Sequence, residues 1–126
     1  MKAYLGETMI QSTEEMINAE GRTLLAMVSQ YTDKYFWNEE LGKLPEEIRK
    51  EVLVLLIMVT EEAGGITVMG FEADGEVYLA STCEEGDLGY DEISAGLLIR
   101  EIEREHADLL QQLSDWYRKV VRQQKS

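Results

Sequence analysis

The chain has 126 residues, a length that suits one domain with one core. Twelve Lys and Arg against 25 Asp and Glu leave a net charge of −13, and 44% of residues are apolar. A field of that sign excludes nucleic acid and anionic membrane surfaces as partners, because both are bound through clustered cations, and the apolar content excludes a wholly disordered chain.

Residues 1–20 show little hydrophobic period. Ser12-Thr13-Glu14-Glu15 is a helix-start signal ahead of Met16 and Ile17, so this stretch reads as an N-terminal arm or short helix. Residues 21–126 read as a single α+β domain. From Arg22 onward, Leu24, Val28, Tyr31 and Tyr35 fall at helical spacing, which predicts a helix from Thr23 to Trp37. Leu24 to Val28 also reads as a strand.

Pro45 is the only proline, and Leu44-Pro45-Glu46-Glu47 places it at a helix start, where its missing N–H costs nothing. Ile48, Val52, Leu55, Leu56 and Val59 form one apolar face, while Leu53, Val54, Ile57 and Met58 fill the others. Such a helix belongs in the middle of the fold, buried on most sides. It should stop at Gly64-Gly65, which accept a left-handed cap.

Asp74-Gly75 separates Ile66–Glu72 from Glu76–Cys83, the short-range signal of an antiparallel hairpin. A lone hairpin is marginal in water, so this one must pack on a helix or gain a strand. Residues 84–92 then form an acidic loop containing two glycines and no cation. A long amphipathic helix is expected from Glu92 to Arg122. Its seam of Leu98, Ile102, His106, Leu109, Leu113, Trp116 and Val120 alternates four and three apart from Ile102 onward. A helix of that length would span roughly 45 Å, longer than such a domain is wide. Either it bends near Gly96, or its seam meets a second copy of the chain. Arg118, Lys119, Arg122 and Lys125 sit where cations favour a helix C-terminus.

The chemistry the residues could carry is narrow. With one cysteine, Cys83, no intrachain disulfide and no Cys-based zinc cage can form. Glu103 and His106 have the Glu-x-x-His spacing, but a carboxylate-bridged di-metal site needs that motif twice and the chain has one histidine. Gly64-Gly65 lead from helix to strand, the wrong order for a phosphate loop. No catalytic residue and no cofactor are expected. The carboxylates Glu84, Glu85, Asp87 and Asp91, with Glu92, have three readings: a solvated loop capping the next helix, a partner-binding surface, or oxygen ligands for a divalent cation. Their spacing is not that of an EF-hand.

Tyr31-Thr32-Asp33-Lys34-Tyr35-Phe36, Leu44-Pro45-Glu46-Glu47-Ile48, Thr60-Glu61-Glu62-Ala63-Gly64-Gly65-Ile66 and Glu85-Gly86-Asp87 with Tyr90-Asp91-Glu92-Ile93 follow in order. On these segments the chain from Arg22 to Val121 resembles a family of small uncharacterised proteins of unknown function from clostridial-type bacteria. It departs from that pattern at Ala63, which is smaller than the family residue. The resemblance brings no activity and no functional residue.

The expectation is a cytoplasmic, non-enzymatic protein acting through protein contacts, homodimeric along the C-terminal seam. An acidic chaperone or adaptor for a client protein is the alternative, and an apolar patch beside the acidic loop would favour it. A cation-dependent enzyme or sensor using the 84–92 carboxylates is the third reading. No apolar run approaches the roughly 20 residues of a membrane span.

Overall fold

Four antiparallel strands form one sheet in the order β2-β1-β3-β4. In this computed structural model, residues 21–32 and 34–125 are described, so the arm or short helix expected at 1–20 lies outside the described residues. Strand β1 is Thr23–Ser29, β2 Lys34–Trp37, β3 Ile66–Phe71 and β4 Val77–Thr82. Helix α1 is Glu46–Ala63, α2 Glu92–Glu105 and α3 Ala107–Lys125, with a 3-10 turn at Glu39–Leu41. This is the expected α+β fold.

The helix expected over Thr23–Trp37 is instead the hairpin β1–β2. Two local features hid it. The register shifts between Leu24 and Ala26, so Leu25 and Ala26 are both buried and the period-2 alternation of a strand is lost. At the turn, the Ser29 hydroxyl accepts from the Tyr31 N–H at 3.1 Å, side-chain turn chemistry that reverses the chain before the aromatic run of β2.

The hairpin expected around Asp74-Gly75 is present as β3–β4. The Gly75 N–H donates to the Glu72 carbonyl and the Glu72 N–H to the Glu76 carbonyl, with Gly75 at φ +95°. A side chain at Gly75 would strike Arg118. The Arg118 guanidinium donates to the Asp74 carbonyl at 3.1 Å and to Glu76 at 2.9 Å. Arg118 therefore fastens α3 to the hairpin tip, a duty beyond favouring the helix end. Pro45 precedes α1 and Gly64 ends it at φ +84°, as its local chemistry predicts.

The three helices of the described residues lie on one face of the sheet. Thr60 of α1 hydrogen-bonds Thr67 of β3 at 2.8 Å, and Tyr117 of α3 stacks on Phe71 of β3 at 4.1 Å between ring centroids. Alternation along β3 puts Thr67, Met69 and Phe71 on that same face. The Tyr117 hydroxyl also shares a 2.9 Å hydrogen bond with Thr23 of β1.

The single long helix expected from Glu92 to Arg122 breaks at His106, where φ is −116° and ψ 30°; Gly96 stays inside a regular turn of α2. The break lets each half find its own partner. Helix α2 runs antiparallel beside α1, pinned where Asp91 N–H donates to the Ala63 carbonyl at 2.8 Å and where His106 Nδ1 lies 3.7 Å from Glu51. Helix α3 crosses to Phe71. Ile102, Leu109 and Leu113 are buried in the chain's own core, with Leu98 and Trp116 packed against it. Five of the seven seam residues are thus met inside one protomer.

Candidate functional site

The acidic loop is held by its own carboxylates. Asp87 accepts from the Tyr31 hydroxyl and from the Gly89 N–H at 3.0 Å, while the Glu84 N–H donates to the same Tyr31 oxygen at 3.0 Å. Burial and the Asp87 carboxylate push the Tyr31 phenol well above its usual range, so it remains a proton donor to Asp87 throughout the ordinary pH range. Asp91 caps α2, accepting from the Ser94 N–H at 2.9 Å and the Ser94 hydroxyl at 2.8 Å. These bonds hold the Asp91 carboxyl below the usual carboxylate range.

Beneath the loop, the Tyr90 hydroxyl shares a 2.9 Å bond with Ser81, and the Tyr90 ring lies against Gly65, leaving no room there for a side chain. Cys83 is buried and free, its thiol pushed up by burial and by the nearby Asp87 and Glu92 charges. Among the described residues, no three Asp, Glu, His or Cys side chains converge as a metal site. Glu84 and Glu85 point to solvent. The capping part of the loop reading is therefore visible in Asp91, and Asp87 is occupied in shaping the loop.

The residues proposed from the sequence do not gather in one place. Leu98, Ile102, Leu109, Leu113 and Trp116 belong to the interior, and His106 marks the helix break beside Glu51. Glu84, Glu85, Asp87 and Asp91 lie at the other end of α2. A cleft of about 340 Å³ between β1, β2 and α1 is lined by Val28, Ser29, Lys34, Tyr35, Ile57 and Glu61. Two of its hydroxyls serve the fold: Ser29 accepts from the Tyr31 N–H, and Thr60, which also lines it, donates to the Leu56 carbonyl at 2.8 Å.

Sequence reasoning missed the outer surface of the helical layer. On α1, Val54, Ile57 and Met58 are exposed; on α2, Ile93 and Leu97 are exposed, and Leu88 in the loop is 99% exposed. The two pins between the antiparallel helices set their register. Ala63 lies level with Asp91 and Glu51 with His106, so Met58 falls level with Leu97. Val54 and Met58 of α1 with Ile93 and Leu97 of α2 form an apolar strip over the two helices that runs toward the acidic loop, the kind of exposed cluster that marks a contact site; Ile57 turns to the other flank of α1, where it lines the cleft with β1 and β2. One signal was available. Val54, Ile57 and Met58 fall on the helical stripe that carries Glu47, Lys50, Glu51 and Glu61, which is the stripe turned to water.

A family model, that of the DUF6145 family of unknown function, matches residues 22–125. No curated protein and no solved structure matches the chain. No described helix is long and apolar enough to cross a membrane.

Proposed function

The chain belongs to the DUF6145 family, whose function is unknown, and we propose from its own surface that it is a non-enzymatic adaptor that holds a client protein against the outer face of α1 and α2. The observation that carries this reading is the exposed apolar strip of Val54, Met58, Ile93 and Leu97, with Leu88 beside it in the acidic loop. Leaving such side chains in water forfeits burial worth about 1.5–3 kcal/mol for each that a partner could cover. A client is favoured over a second copy of the chain, since two copies would bring together net charges of −13 each. The reading takes the protein to work in a bacterial cytoplasm, a reducing compartment that suits its one free thiol.

Photo-crosslinking in the native cell tests it, with a benzophenone side chain placed at Leu97 and, as a control, at exposed Lys43. The expected result is one defined adduct from position 97, absent from position 43 and lost when Met58→Glu is added. An adduct of twice the 14.4 kDa chain mass would replace the client with self-association. Equal labelling from both positions would remove the contact reading.

A further inference from the structure

Resting on that contact reading, we infer that the docking segment of the partner is an amphipathic helix whose apolar stripe lies along α1 and α2 and whose Lys/Arg-bearing end meets the acidic loop. The apolar strip supplies the first part. Val54 and Met58 stand at i and i+4 on α1, and Ile93 and Leu97 at i and i+4 on α2. The two helices lie side by side and antiparallel, pinned at both ends. The furrow between two such helices accepts a third helix by ridge-into-groove packing, read by apolar anchors at helical spacing.

Charge supplies the orientation. Residues 54–63 and 84–99 contain Glu61, Glu62, Glu84, Glu85, Asp87, Asp91 and Glu92 and no Lys, Arg or His; the cation near this end is Lys34 of β2, which shares the cleft on the far flank of α1 with Glu61. The opposite end of the strip is mixed, with Lys50, Arg100 and Arg104 among Glu51, Glu101 and Glu105. Helix α1 closes on Glu61 and Glu62 with no basic residue in its last turn, placing negative charge on the negative end of the dipole, where cations are favoured. Asp87 and Asp91 are engaged within the loop, but Glu84 and Glu85 are exposed, as are Glu61 and Glu62. A partner carrying cations at one end would relieve this local repulsion, and binding in the reverse orientation would bring those cations toward Lys50, Arg100 and Arg104.

Peptide display against the full chain tests the inference, with counter-selection on the Met58→Glu/Leu97→Glu variant. Enriched peptides are then measured by fluorescence anisotropy against wild type, that variant and Glu61→Gln/Glu62→Gln/Glu85→Gln. The expected peptides become helical on binding, carry apolar residues at i, i+3 or i+4 and i+7, and end in a Lys/Arg cluster. Their affinity should fall at least ~10-fold in the Met58/Leu97 variant, as for loss of central anchors. It should fall by a smaller factor in the glutamine variant and as salt rises from about 50 to about 500 mM, as exposed charge pairs are screened. Patch-dependent peptides that bind extended, or whose affinity ignores both salt and the glutamine substitutions, would overturn the helix-and-cation inference while leaving the contact reading standing. If no selected peptide distinguishes wild type from the Met58/Leu97 variant, both are overturned together.

Discussion

Helices α2 and α3 carry two apolar rows that meet opposite fates. The inner row, Ile102 and Leu113, is 1% exposed and lies in a core shared with Leu56 and Phe71. The outer row on α2 is left in water, with Leu97 59% exposed. By composition the two rows look alike. What separates them is the break at His106, which turns α3 onto the sheet and leaves α2 lying against α1 with one stripe facing out. Hydrophobic residues at helical spacing show that a helix has a face to cover; which face the fold covers is decided by tertiary geometry.

The sharpest way to break the comparison is to put charge on the inner row. Leu113→Ala should cost about 2–5 kcal/mol, the loss of buried methyl groups plus the cavity they leave. Leu113→Asp should cost more, because an unpaired carboxylate would be forced into that cavity, and the chain should unfold. Urea denaturation followed by circular dichroism measures both. A Leu113→Asp chain with a wild-type midpoint would mean that this row is not the core, and the distinction between inner and outer rows would fail.

How far the fold was legible in sequence follows the same division. Features set by nearest neighbours could be read directly: Pro45 opening α1, Gly64 closing it, and Asp74-Gly75 turning β3 into β4. The first hairpin was not legible as such, because the bulge at Leu24–Ala26 buries adjacent residues and Leu24, Val28, Tyr31 and Tyr35 happen to fit a helical period. The helix break was also hidden, since no glycine or proline marks it and His106 sits on the seam it interrupts. The acidic loop was legible as a loop and as a cap at Asp91. The bond from Tyr31 to Asp87 joins residues 56 apart in the chain, and no local pattern announces it. Exposure of Leu97 and Met58 likewise depends on which neighbours arrive, a property of packing that periodicity does not contain.

A smaller effect should come from the floor on which the acidic loop rests. Gly65 has φ +74°, and a methyl group there would run into the Thr82 carbonyl and the Tyr90 ring. Gly65→Ala should therefore cost about 1–2 kcal/mol for the left-handed backbone, plus about 1–3 kcal/mol for overpacking. Because Tyr90 supports the stretch between the loop and α2, amide hydrogen exchange should rise across residues 84–91 more than in α3. Equal protection of both segments would mean that loop order does not depend on this contact, and the outer strip would lose its link to the loop.

The smallest stability effect should come from the outer row, and it is the most informative. Met58→Glu and Leu97→Glu place charge on side chains that already meet water, so each should move the unfolding free energy by no more than about 0.5 kcal/mol. The added charge also worsens an excess of carboxylates around Glu61, Glu62 and Glu92, so any shift should be destabilising and should shrink as salt screens it. The contrast with Leu113 is then a contrast of position alone: charge introduced on an apolar helical residue, ruinous inside and nearly silent outside. If Leu97→Glu instead destabilised the isolated chain as Leu113→Asp does, the strip would be part of the fold's own packing. It would then have no free surface to offer a client. A silent Leu97→Glu leaves binding as the property that the exposed strip controls.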